Sequence, residues 1–205
     1  MKRSIVAGAV AAFSAATFLS FTPGKLHIDT YKVDTKLSKL EWQAAKLTGK
    51  HNGDVMFSSG EIKNDHGALT GYVEVDMHTI RNLDVESAEY KAKLENHLKS
   101  ADFFDVAKYP TAKFVILTAT PITERKEGGY THNIKGNLTI KDKTNEIAFD
   151  AIVNMTGNRA SCVGTVVVDR SKFDVKYGSK TFFADIGDKI IYDDFTLQFN
   201  VVADK

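Results

Sequence analysis

From Lys39 onward, apolar and polar residues alternate along most of the chain. Leu40, Trp42 and Ala44 are interleaved with Lys39, Glu41 and Gln43, and His51, Gly53, Val55 and Phe57 form a second stripe. Leu69, Gly71, Val73, Val75 and Met77 form a third, and Tyr130, His132, Ile134, Gly136, Leu138 and Ile140 a fourth. Ile147, Phe149, Ala151 and Val153 follow after the turn 141–145, and Ile191, Phe195, Leu197, Phe199 and Val201 close the series. Alternation sustained over such lengths predicts antiparallel strands with one buried face. Segments 113–120 and 162–169 are apolar on both faces, as strands covered on both sides are.

One segment changes period. Between Ser87 and Ser100, Tyr90, Leu94, His97 and Leu98 recur at helical spacing. Ser87 is placed to cap this helix, and Pro110 stops any continuation past the FFDV turn. The pattern predicts an all-β domain of about eight antiparallel strands with one inserted α-helix (about 87–100), a barrel or a sandwich. Almost every apolar stripe also carries a very small residue: Ala44, Gly53, Gly71, Gly136 or Ala151. Small inward residues either leave a closed barrel room for a ligand or ease bends at its corners. Pattern alone supports both.

Residues 1–24 stand apart. Met1-Lys2-Arg3 is positive, Ile5 to Phe21 is apolar apart from Ser and Thr, and Thr22-Pro23-Gly24 breaks the run. This reads as a secretory signal, which makes residues 25–205 the single folded domain and the location periplasmic or secreted. No cysteine near the junction could carry a lipid. With 27 Lys+Arg against 26 Asp+Glu, the net charge of +1 gives no footprint for nucleic acid. Cys162 is the sole cysteine, so no intramolecular disulfide can form.

The chain offers little for catalysis. Its six histidines form no HExxH pair and have no cysteine partners, so no metal is expected. Gly178-Ser179-Lys180-Thr181 lacks the residue order of a phosphate loop, no G-x-S-x-G elbow occurs, and Asp185, Asp188, Asp193 and Asp194 lack the calcium-loop spacing. No nucleophile, base and oxyanion set assembles, so neither catalytic residues nor a cofactor are expected. His51 and His132 sit on apolar stripes, either as hydrogen-bonded core histidines or as polar contacts to a ligand. Arg170 ends an apolar strand, where it is either exposed or, if buried, in need of partners. In HLKSADFFDVAKYP (97–110), Phe103 and Phe104 read as anchors pinning the helix to the barrel. His97, Asp102 and Asp105 have no second cluster to ligate with.

Together the motifs resemble the YceI-like, polyisoprenoid-binding family of exported bacterial proteins. The carriers are LEW at Leu40 to Trp42, HLKSADFFDVAKYPTAKF, GNLTIKDKT at Gly136 to Thr144, VDRSKFDVKYGS around Arg170 and the closing GDKIIYDDFTL. KLTGKHNGDVMFSSG departs from the family pattern, which places a His-rich HxG segment nearer the tryptophan. The resemblance implies a lipocalin-like, eight-stranded antiparallel barrel holding a long apolar chain, such as an isoprenoid or fatty-acid-like ligand. Trp42, His51, Phe57, Val73, Val75, Phe104, Phe114, His132, Leu138, Phe149 and Arg170 are the expected ligand-binding residues. Membrane contact during ligand loading and a homodimer are compatible with this reading. A lipid-modifying enzyme and a structural or stress module with a filled barrel are the alternatives.

Overall fold

The computed structural model describes residues 28–124, 129–185 and 187–205; residues 1–24, expected to be a secretory signal, lie outside them. The strands are β1 (Asp29–Val33), β2 (Lys39–Lys46), β3 (Gly49–Asp65), β4 (Ala68–Asn82), β5 (Thr111–Pro121), β6 (His132–Ile140), β7 (Lys143–Thr156), β8 (Arg159–Asp169) and β9 (Ile191–Asp204). Helix α1 (Ala88–Lys99) is inserted between β4 and β5. Every pairing is antiparallel, and β3–β4 pairing closes the sheet into a barrel.

The nine strands fill eight barrel positions. β1 pairs with Glu61–Asn64 of β3 and with the end of β9, while β2 pairs with Gly49–Asp54 of β3 and with 191–200 of β9. The two short strands thus share one position, separated by the turn at 34–38. The lipocalin-like barrel with one helix is the observed architecture. α1 starts where expected, with Ser87 Oγ accepting from Tyr90 N at 3.4 Å. Its apolar stripe is only partly used: Leu98 packs on the core, whereas Tyr90 is 65% exposed.

Three of the sheet's four register shifts re-aim wall side chains. In β3 the shift between Phe57 and Ser59 moves the inward set from Val55 and Phe57 to Gly60 and Ile62. β4 is irregular opposite Asp54–Met56, so Met77 and Ile80 both face inward, and β5 shifts between Ile116 and Thr118. Such bulges bend and twist a strand, as barrel closure requires.

The inward small residues have two distinct uses. Gly71 has φ +143°, and a Cβ there would lie 2.1 Å from Glu61 O, so this one serves the backbone bend. Gly53, Gly136 and Gly164 seat aromatic rings. A Cβ would meet the Trp42 ring at 2.5 Å, the Phe114 ring at 2.4 Å and the Phe199 ring at 2.7 Å respectively. The rings therefore lie back against the wall instead of projecting across the lumen.

Candidate functional site

Inside the barrel is a cavity of about 240 Å³ with almost wholly apolar walls. Its residues come from β2 to β9, the turn after α1 and the cap around Arg170. Phe114, Phe149 and Phe199 form a chain of tilted and edge-on rings, with centroids 5.5 Å and 5.3 Å apart. These three rings, with Phe195 and Leu197, face inward yet stay only partly buried, because they face open space in place of packed atoms. A core packed to ordinary density would cover them.

Nine of the eleven expected residues stand on this wall: Trp42, Phe57, Val73, Val75, Phe104, Phe114, Leu138, Phe149 and Arg170. His51 and His132 do not, and the expectation of lumen contacts from them is corrected. His51 is half-buried at the rim, with Nδ1 2.8 Å from Asp84 Oδ2. His132 opens β6, where its Nδ1 lies 2.9 Å from Thr131 Oγ1. Alternation assigns a face but not a depth, and both histidines lie on inward-parity positions near strand ends. Cys162 also lines the cavity, and burial pushes its thiol pKa up to about 12, which makes it a poor nucleophile.

Arg170 takes the buried alternative and has the partners that burial demands. It is 4% exposed, so it is no surface strand end. Its donors are also committed to the main chain: Nε to Tyr192 O (3.2 Å), Nη1 to Val175 O (2.8 Å) and Tyr177 O (2.9 Å), and Nη2 to Ile191 O (3.0 Å). Nη2 further lies 3.2 Å from Asp193 Oδ1, an ion pair without hydrogen-bond alignment. Burial pulls the guanidinium below its usual pKa while Asp193 and Asp169 oppose the shift. With four of five N–H groups held by carbonyls, Arg170 is the staple of the 170–192 segment. It has little left for a ligand headgroup.

The aromatic turn after α1 completes the cap. His97 packs edge-on against Phe103 (5.0 Å) and Tyr177 (4.5 Å), and Phe103 also meets Phe104 at 6.4 Å. Phe103 is 7% exposed and Phe104 partly buried, and both reach the cavity wall, so both anchors also face the lumen. His97 Nε2 lies 3.4 Å from Asp102 Oδ2 at the surface of this cluster. A polar network ties α1 to the β2–β3 side. Asp84 accepts from Asn52 N at 2.8 Å and Asn82 Nδ2 at 2.6 Å, while Asn82 N donates to Glu95 at 2.8 Å. Burial alone would raise the Asp84 pKa, but bonds from Asn52, His51 and Asn82 outweigh it and hold the carboxyl below the usual range. Tyr192, at 48% exposure, is the most accessible of the residues lining the cavity.

The arrangement can hold an apolar body, and it presents no assembled reactive groups. Among the described residues, no three His, Cys, Asp or Glu gather as a metal site. Trp42 Nε1 is buried without a hydrogen-bond partner among the described residues, the one orphaned donor of the wall. Sequence reasoning missed much of the lining on β9, the Arg170 staple and Cys162. Phe195, Leu197 and Phe199 were visible as a stripe, and that stripe was the available signal.

The comparisons agree with this geometry. A UPF0312 protein of Pseudomonas putida (strain W619) is 28% identical over 177 residues, covering 81% of this chain and 86% of the relative. The crystal structure of Burkholderia cenocepacia BcnA superposes with TM-score 0.65 at 25% identity, over 83% of this chain and 98% of that one. A polyisoprenoid binding domain from Saccharophagus degradans, implicated in plant cell wall breakdown, shares the fold with TM-score 0.59 at 11% identity, over 85% and 97% of the two chains. Residues 31–203 match the YceI-like domain, and the chain belongs to that family.

Proposed function

We propose that this chain is an exported lipid-binding protein that holds a polyisoprenoid or similar long-chain amphiphile in the barrel lumen, for transport or storage, without converting it. The observation that carries the proposal is the apolar cavity of about 240 Å³ inside the barrel. An apolar chain gains about 0.8 kcal/mol per methylene buried. Ten methylenes give nominally ~8 kcal/mol, in the micromolar range before ordering costs. Affinity therefore comes from the walls. The polar head remains outside the lumen, which has almost no polar surface to receive it. The fold shared with a polyisoprenoid binding domain supports the class of ligand.

Trp42, the sole tryptophan, stands on the cavity wall and serves as a reporter. Titrating delipidated protein with geranylgeraniol changes Trp42 emission saturably in the wild type. Val75→Arg, which puts a cation in the lumen, abolishes that change while the barrel stays folded by circular dichroism. An unaltered titration in a folded Val75→Arg protein would count against lumen binding. Recovery of a chemically altered prenyl alcohol would favour the enzyme reading.

A further inference from the structure

We infer that the barrel end opposite the cap is a closed floor, built on Tyr31, Met155 and Asn64, that sets the longest chain the lumen accepts; this rests on the proposed lipid-binding function. Tyr31 is 3% exposed and centres a small cluster with Ala160 and Ala203, separate from the main core. Two of its contacts cross the barrel end instead of following its wall. Tyr31 OH, from β1, donates to Gly157 O in the β7–β8 turn at 3.5 Å. Asn64 Nδ2, from β3, donates to Met155 Sδ on β7 at 3.6 Å.

In barrel order β3 is followed by the shared β1/β2 position, then β9, β8 and β7. β3 and β7 therefore stand on opposite sides of an eight-position barrel. A side-chain contact between them is possible only where that end is drawn together. Lys205 N donates to Asn158 O at 2.9 Å and ties the end of β9 to the same turn. Ile62, Met155, Ala160 and Ala203 line the cavity just above Tyr31, while Tyr31 itself lies beneath them.

From this ring to the cap, β8 runs from Ala160 to Val168, eight residues on. At ~3.3 Å per residue and a tilt near ~40°, that is about 20 Å along the axis. A chain entering from the cap end therefore meets a floor after a fixed distance. Each methylene up to that length adds binding. Those beyond it must stay in water or push Tyr31 aside.

The test is a chain-length series. Delipidated full-length protein is titrated with straight-chain primary alcohols of increasing length, read by Trp42 emission. Wild-type affinity rises about fourfold per methylene up to a break, beyond which it stops rising. Tyr31→Ala moves the break to longer alcohols, Met155→Ala moves it from the opposite strand, and Tyr31→Phe, which keeps the ring, leaves it in place. A break at the wild-type length in folded Tyr31→Ala and Met155→Ala overturns the floor, and Met155→Ala decides alone if Tyr31→Ala does not fold. Binding of no alcohol by the wild type overturns the lipid reading itself, and the floor's role with it.

Discussion

The two ends of the barrel are closed by opposite kinds of contact. At the cap, a buried guanidinium is held by four main-chain carbonyls, and the Asp84 network fastens α1 beside it. At the floor, one tyrosine hydroxyl and a methionine sulfur meet their partners at 3.5 Å and 3.6 Å, both long contacts. Directional bonds fix the cap's root while its edge at Tyr192 stays accessible. The floor is packing, which yields to side-chain size. Under the proposed lipid-binding function, tail length would be read at the floor, and the cap, its donors already committed, would serve to hold the barrel end in place.

The largest expected effect is at the cap. Arg170→Leu leaves buried carbonyls without donors and Asp193 without its cation, and costs about 3–5 kcal/mol in urea unfolding. Between the ends, Gly136→Ala drives a Cβ to 2.4 Å from both Val115 O and the Phe114 ring. It costs about 1–3 kcal/mol through overpacking, whereas a Cβ at Gly49 meets nothing within 4 Å and Gly49→Ala stays near neutral by the same measurement.

Acid should loosen the cap before the floor. The folded-state pKa of Asp84 is depressed, so its contribution is whole above the unfolded value of about 3.9 and is lost as pH falls through the folded one. The protection of α1 amides against hydrogen exchange, taken relative to their intrinsic rates, falls below about pH 4 in the wild type. In Asp84→Asn that acid-dependent step is reduced. The cost at the floor is small: Tyr31→Phe loses only a long hydrogen bond and costs under about 1 kcal/mol in the same unfolding assay.

The barrel was legible because its walls obey period two for long stretches, and α1 because its period differs. The wall residues Val73, Val75, Leu138 and Phe149 lie on stripes of that parity, whereas Phe114 lies in a segment apolar on both faces, where parity does not choose. What escaped has physical causes. β1 is five residues long and shares its barrel position with β2, so it left no stripe of its own. The bulge after Phe57 changes which parity faces inward, which alternation cannot foresee. His51 and His132 were on the right parity at the wrong depth. Arg170's partners lie 5 to 22 residues away on a folded-back segment, and only the fold brings them together.

The central claim is that the lumen carries a long apolar molecule. Organic extraction of the purified, folded protein followed by mass spectrometry tests it most directly. The account predicts about one long-chain apolar amphiphile per chain, chemically unchanged, filling the single-ligand lumen of a small barrel. Folded protein that yields no lipid near stoichiometry, and takes up none when offered geranylgeraniol, would contradict it.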